Sequence, residues 1–182
     1  MANADRPNGL HPVRHLMGAP IVANEYSVDS SNATAIFPGD VVIMEADGNI
    51  APYTGTGGGN VLGVMAGLKN VSGNLSLQYL AASTAGTVLV YDDPYIIFEA
   101  QEDDGGTALA ATSVGANVDF LATAGSTTTQ NSRHELDRST IVTTTAQCRL
   151  LRLVPRVDNA YGDWARWEVI LNEHGFRDTA GV

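Results

Sequence analysis

Residues 86–104 read GTVLVYDDPYIIFEAQEDD, and how this stretch folds decides how the rest of the chain is organised. Thr87 to Tyr91 is a β-branched and aromatic run of the kind that forms a buried strand. Asp92-Asp93-Pro94 interrupts it, and Tyr95 to Phe98 resumes it. Pro94 has no N–H to give to a ladder and biases Asp93 toward extended geometry. The pattern therefore predicts two core strands that meet at a bend or bulge. The second strand runs on into Glu99, Glu102, Asp103, Asp104 and Gly105-Gly106, which predicts that it ends in water.

The flanking sequence keeps the same β character. Phe37-Pro38-Gly39-Asp40 is a turn, Val41 to Glu45 a strand, and Asp47-Gly48 a hairpin turn into Ile50 to Tyr53. Thr54 to Asn60 is a small-residue loop that lacks the Gly-Lys-Ser/Thr of a phosphate cradle. Val61 to Leu68 carries Gly63 and Gly67, as strands do where another backbone comes close or a sheet curls. Leu75 to Leu80 and Val118 to Ala122 read as short strands, and Ala124 to Asn131 as an exposed loop. Thr107 to Val114 predicts one or two helical turns, and Ser132-Arg-His-Glu135 has the spacing of a helix cap box good for one turn.

Cys148 to Val154 and Trp164 to Asn172 form a hairpin by alternation. On the return strand Ala165, Trp167, Val169 and Leu171 share a face, making Trp167 the core aromatic. Trp164 shares the other face with Arg166, Glu168 and Ile170, and either covers the hairpin or anchors a subunit contact. Many short strands spaced by turn signals predict a mainly β domain over residues 35–182, a barrel or jelly-roll-like sandwich with one or two short helical turns. Residues 1–34, punctuated by Pro7, Pro12 and Pro20, read as an extended N-terminal arm. The arm has too many apolar residues for a disordered tail, so it lies on this domain or on a neighbouring subunit.

With 20 acidic and 10 basic residues the net charge is −10, which argues against duplex DNA or an anionic membrane as partner. No Lys or Arg occurs from Asn70 to Ser132, where seven acids fall. That acidic middle is a solvated rim, a surface for a basic partner, or a cation site. Cys148 is the only cysteine and reads as a buried structural thiol. No stretch is long and apolar enough to span a bilayer, and Met1 to Pro20 lacks a signal pattern, so an origin in the host cytoplasm is expected. Gly-x-Ser-x-Gly, Cys-x-x-Cys, His-Glu-x-x-His and Gly-x-Gly-x-x-Gly are all missing. His134-Glu135 is no catalytic set by itself, and Pro12 spoils the helical spacing of His11 and His15 as metal ligands. The expectation is a protein that is not an enzyme, with no cofactor and no metal.

Five stretches in order, MANADRPNGLHPVRHLMGAP (1–20), IFPGDVV (36–42), VLGVMAG (61–67), VYDDPYIIFEAQ (90–101) and LLRLVPRVDNAYGDWARWEVILNEHGF (150–176), resemble a family of tailed-bacteriophage head proteins, the capsid decoration or cement proteins. The resemblance implies a β-rich structural protein of the virion, a homotrimer on the outer capsid surface that binds the major capsid protein and clamps adjacent capsomers. Under it, Arg6, Leu10, Val13, Arg14 and Leu16 of the arm, together with Trp164, are the expected capsid or subunit contacts. Removing residues 1–20 is then expected to leave a folded domain with weakened docking. Two other classes stay open. A virion-displayed receptor- or carbohydrate-binding module would gather Tyr53, Tyr161 and Trp164 in one groove, and a small trimeric β-fold enzyme would converge buried carboxylates at a pocket.

Overall fold

The computed structural model describes residues 3–55, 61–69, 74 and 76–177. Among the described residues eleven strands, numbered along the chain, build two antiparallel sheets. One has six strands in the order β1 (His11–His15), β7 (Ile96–Gln101), β11 (Arg166–Leu171), β10 (Cys148–Leu153), β8 (Asn117–Leu121) and β9 (Glu135–Val142). The other has five, in the order β2 (Asn24–Val28), β6 (Gly86–Tyr91), β5 (Val61–Lys69), β3 (Val41–Met44) and β4 (Ile50–Pro52). The break at Asp92-Asp93-Pro94 is the passage between the sheets, with β6 inside one and β7 inside the other. Pro94 has no N–H to give to an interior ladder, and the chain changes sheets there.

The main core lies between the sheets, where Phe98, Leu150, Trp167 and Val169 meet Val61 and Val64. A second core takes the opposite face of the five-stranded sheet, from Val42, Ile50, Leu62, Val88 and Val90 with Ile36 and Leu80. Neighbouring residues of β3 and β5 therefore go to different cores, and both strands read as continuous apolar runs because both faces are buried. The edge strands β2 and β4 approach each other without a ladder between them, so the sheet is rolled but not closed into a barrel. Gly63 on β5 lies against the Tyr91 backbone. A Cβ there would lie 2.1 Å from the Tyr91 carbonyl oxygen, so β5 and β6 pack as closely as they do only because that position is glycine.

The hairpins at Asp47-Gly48 and between β10 and β11 form as their alternation predicts, and Trp167 is fully buried. The alanine-rich segment forms one of the one or two turns expected, the 3₁₀ turn Ala111–Ser113. Three expectations are corrected. Ser132 to Glu135 is no helix, because the Ser132 hydroxyl accepts the His134 N–H and Glu135 enters the ladder opposite Leu121. Of the strand drawn over Leu75 to Leu80, Leu75 lies outside the described residues and only Leu80 pairs, in a single bridge to Ile36. The strand drawn to end in water ends instead in the buried Gln101, Glu102 and Asp103.

The N-terminal arm is extended and also belongs to the sheets. β1 pairs with β7 and β2 with β6, so the arm runs antiparallel to residues 86–101 on both sides of the corner.

Candidate binding surfaces

The two aspartates at the corner hold the two halves of the arm. Asp92 accepts hydrogen bonds from Asn24 Nδ2 at 2.9 Å and from the Tyr26 hydroxyl at 2.6 Å, which secures β2. Burial and the Asp92 carboxylate together push the Tyr26 phenol well above its ordinary pKa. Asp93 Oδ2 faces His15 Nε2 at 3.1 Å, which secures β1. The backbone N–H groups of Met17 and Ala19 both donate to His15 Nδ1, so the proton sits on Nε2 and points at Asp93. These acids anchor the arm and are not arranged to gather oxygens around a cation.

Between β1 and β2 the chain passes over the corner and leaves apolar side chains in solvent. Leu16 and Val22 are more than half exposed there, Met17 is 75 % exposed, and Tyr95 and Phe176 stand beside them. Pro20, Val22, Tyr95 and Phe176 line one shallow depression, and Leu16 and Tyr95 share the next. The Arg177 guanidinium lies 5.6 Å above the Tyr95 ring and fixes its orientation. β1 is also an edge strand, with one side of its backbone unpaired in the sheet.

The expected contact residues divide into four groups. Val13 and Leu16 are exposed at this edge. Leu10 is corrected, since at 1 % exposure it belongs to the main core of its own domain and offers nothing to a partner. Arg14 is exposed but tied to the buried Glu168, 2.9 Å away, and Arg152 reaches the other carboxylate oxygen at 2.6 Å. Burial alone would raise the Glu168 pKa, but the bonds from Arg152 and Arg14 outweigh it and hold it below the ordinary value.

Arg6 and Trp164, 158 positions apart, line the same cleft of about 480 Å³. One wall is the start of the arm, with Asn8 and His11, and the other is the β10–β11 connection, with Arg156 and Asn159. Glu99 lies at the base, 3.1 Å from Arg156 and 3.4 Å from Arg166. Asn159 braces the connection by donating to the Val154 and Arg166 carbonyls, and Asn3 donates to those of Ala160 and Asp163. This brace holds Trp164 at φ 60°, a left-handed backbone that a bulky side chain rarely adopts. Sequence alternation marked Trp164 as outward-facing, but nothing local marked Arg156 and Arg166 as its neighbours. Of the other aromatics, Tyr53 is buried in the main core and Tyr161 packs on Trp167 at 5.8 Å, so the three do not share one groove.

Buried polar groups form two further clusters. Arg138 on β9, 3 % exposed, donates to the carbonyls of Asp104, Gly105 and Gly106 and to Asp163 Oδ1. Glu102 lies 3.9 Å from it, with one oxygen accepting the Leu109 N–H. Glu102 faces the core beside Trp167, whereas Glu135 bonds Gln101 on the opposite side, so these two carboxylates do not converge. In the second cluster Asp40 Oδ1 lies 3.5 Å from His134 Nε2. Since His134 Nδ1 accepts the Val41 N–H, the neutral ring keeps its proton on the nitrogen facing Asp40 and has no lone pair there for a metal or for Ser132.

Burial raises Asp40, Glu102 and Glu135 to about 7 and lowers His134 and His174 to about 4. A carboxyl with a raised folded pKa contributes stability that is lost as pH rises through 7. A histidine with a lowered one contributes stability that is lost as pH falls from 6.5 toward 4. The two effects oppose each other between about pH 4.5 and 6.5, and above that only the carboxyls titrate. The melting temperature is expected to fall between pH 6 and pH 8, and Glu135→Gln to flatten that fall. A melting temperature that rises over the same interval would contradict the assignment.

Comparison of the chain with protein-family models, with characterised proteins and with solved structures returned no match.

Proposed function

We propose that the chain is a structural virion protein that docks on the outer surface of a tailed-phage capsid and cements adjacent capsomers without turnover. The observation that carries this reading is the exposed apolar corner of Leu16, Met17, Val22, Tyr95 and Phe176 beside the edge strand β1. Apolar surface gathered in one place, and oriented by a firmly anchored corner, is what a permanent docking site needs. Burying it would contribute on the order of 25 cal/mol per Å² before association costs, repeated over every symmetric copy. A homotrimer at three-fold positions, bound to the major capsid protein, fits a load-bearing role, and the net charge of −10 fits a protein that avoids packaged nucleic acid.

The test is co-sedimentation with expanded phage heads stripped of the protein, with the solution mass measured in parallel. Saturable binding that raises the melting temperature of the heads is expected, and a protein that stays in the supernatant would refute decoration. The double variant Leu16→Asp, Tyr95→Ser changes only exposed side chains and should keep its own melting temperature within a few degrees. Its binding to heads is expected to weaken at least ~10-fold. Undiminished binding would move the contact to another face. The cleft of Arg6 and Trp164 favours a second reading, a binding module for a small ligand displayed on the virion.

A further inference from the structure

We propose that the cleft between the start of the arm and the β10–β11 connection binds a carboxylated saccharide, with the sugar ring on Trp164 and its carboxylate on Arg6. Three guanidiniums, Arg6, Arg156 and Arg166, line the cleft with two carboxylates, Glu99 and Asp158. Both carboxylates are already engaged, Glu99 by Arg156 and Arg166 and Asp158 by Arg156 at 3.2 Å. The Arg6 side chain has no acidic partner among the described residues and is the unbalanced charge. One surplus positive charge matches a monoanion better than a phosphate dianion, and a planar fork suits a carboxylate.

Trp164 identifies the rest of the ligand. Its indole lines the cleft, its ring N–H makes no hydrogen bond to the described residues, and its backbone is kept in a strained conformation by the Asn159 and Asn3 braces. A strained aromatic that lines a cleft is a platform for a flat apolar face, such as the C–H face of a pyranose, with a donor at its edge for a ring hydroxyl. An acidic peptide fits less well, because main-chain groups in the cleft are occupied. The Arg6 N–H donates to Gln101, the Arg6 carbonyl accepts from Arg166, and the Val154 and Arg166 carbonyls accept from Asn159. His11 adds polar capacity without charge, since burial and the nearby Arg166 lower its pKa. The site needs no capsid and is independent of the docking proposal.

The full chain would be titrated with galacturonic acid and with N-acetylneuraminic acid, using calorimetry and tryptophan fluorescence. Only two tryptophans are present and Trp167 is fully buried, so a change in emission reports Trp164. Saturable binding of at least one acid sugar is expected, with galactose at least ~10-fold weaker. Trp164→Gly removes the platform while relaxing the left-handed backbone, and Arg6→Ala removes the charge at an exposed position. Each should weaken binding at least ~10-fold at an unchanged melting temperature, and Arg6→Lys should restore only part of it. The proposal is overturned if neither acid sugar binds saturably, or if both variants bind like the parent chain. It is also overturned if phosphate or a short poly-glutamate peptide binds as tightly as the sugars.

Discussion

A chain beginning at residue 21 is expected to lose cooperative folding, and with it any meaningful docking measurement. Residues 11–15 form β1, which pairs along β7 from His11 opposite Glu99 to His15 opposite Ile96. Without β1, strand β7 becomes an edge, and Asp93 loses the His15 proton that holds its turn. Leu10 leaves the main core at the same time. Its N–H donates to the Gly39 carbonyl, and Gly9 is packed so closely that a Cβ would lie 2.4 Å from that oxygen and 2.5 Å from the Ser132 Cβ. Leu10→Ala alone should cost ~2–5 kcal/mol, a fall on the order of 10 °C in melting temperature for a chain of this size. The truncation adds the loss of a whole strand. Circular dichroism melts of the two variants would decide the matter. A truncated chain that melts cooperatively within a few degrees of the full chain would show that the arm is separable after all.

The second large effect is expected at Arg138. Its guanidinium satisfies three backbone carbonyls of the 104–106 turn and reaches Asp163, with Glu102 and Asp103 within 4.0 Å. Arg138→Met fills a similar volume but leaves those carbonyls and two poorly solvated carboxyls without a cation. Breaking a buried pair from one side costs ~3–5 kcal/mol, or roughly 10 °C here. Arg138→Lys should recover little, because one ammonium cannot span three carbonyls and a carboxylate in a planar fork. Asp163→Asn touches only the exposed end of the network and should stay within ~1 kcal/mol of the parent. Denaturant unfolding of the three variants would test this order. If Arg138→Met unfolds at the same midpoint as Asp163→Asn, the turn is held by something other than this residue.

The two predictions bear on the same question, why acids from the poorly basic middle of the chain are not a solvated rim. Asp92, Asp93 and Glu99 meet donors from residues 15–26 and from Arg156 and Arg166, and Glu102 and Asp103 meet Arg138. Every one of those partners lies far away in sequence. A count of charges along the chain separates the acids from the bases that the fold brings back to them.

Local chemistry alone was enough for strands β3 to β8, β10 and β11, for the hairpins and for the break at Pro94. Alternation over residues 165–171 assigns Trp167, Val169 and Leu171 to the core, and the Asp47-Gly48 turn closes a hairpin, because both patterns depend on neighbours in sequence. Tertiary structure decided everything that required two distant segments to meet. It turned the break at Pro94 into a passage between two sheets, laid the arm along both sides of it, and drew Ser132 and Glu135 out of a helix and into β9. It also set Arg6 beside Trp164, and gave Arg138 a turn to hold. Strand propensity and turn geometry are properties of a few consecutive residues. Burial, pairing and charge neutralisation depend on which distant residues come together, and only the fold brings them there.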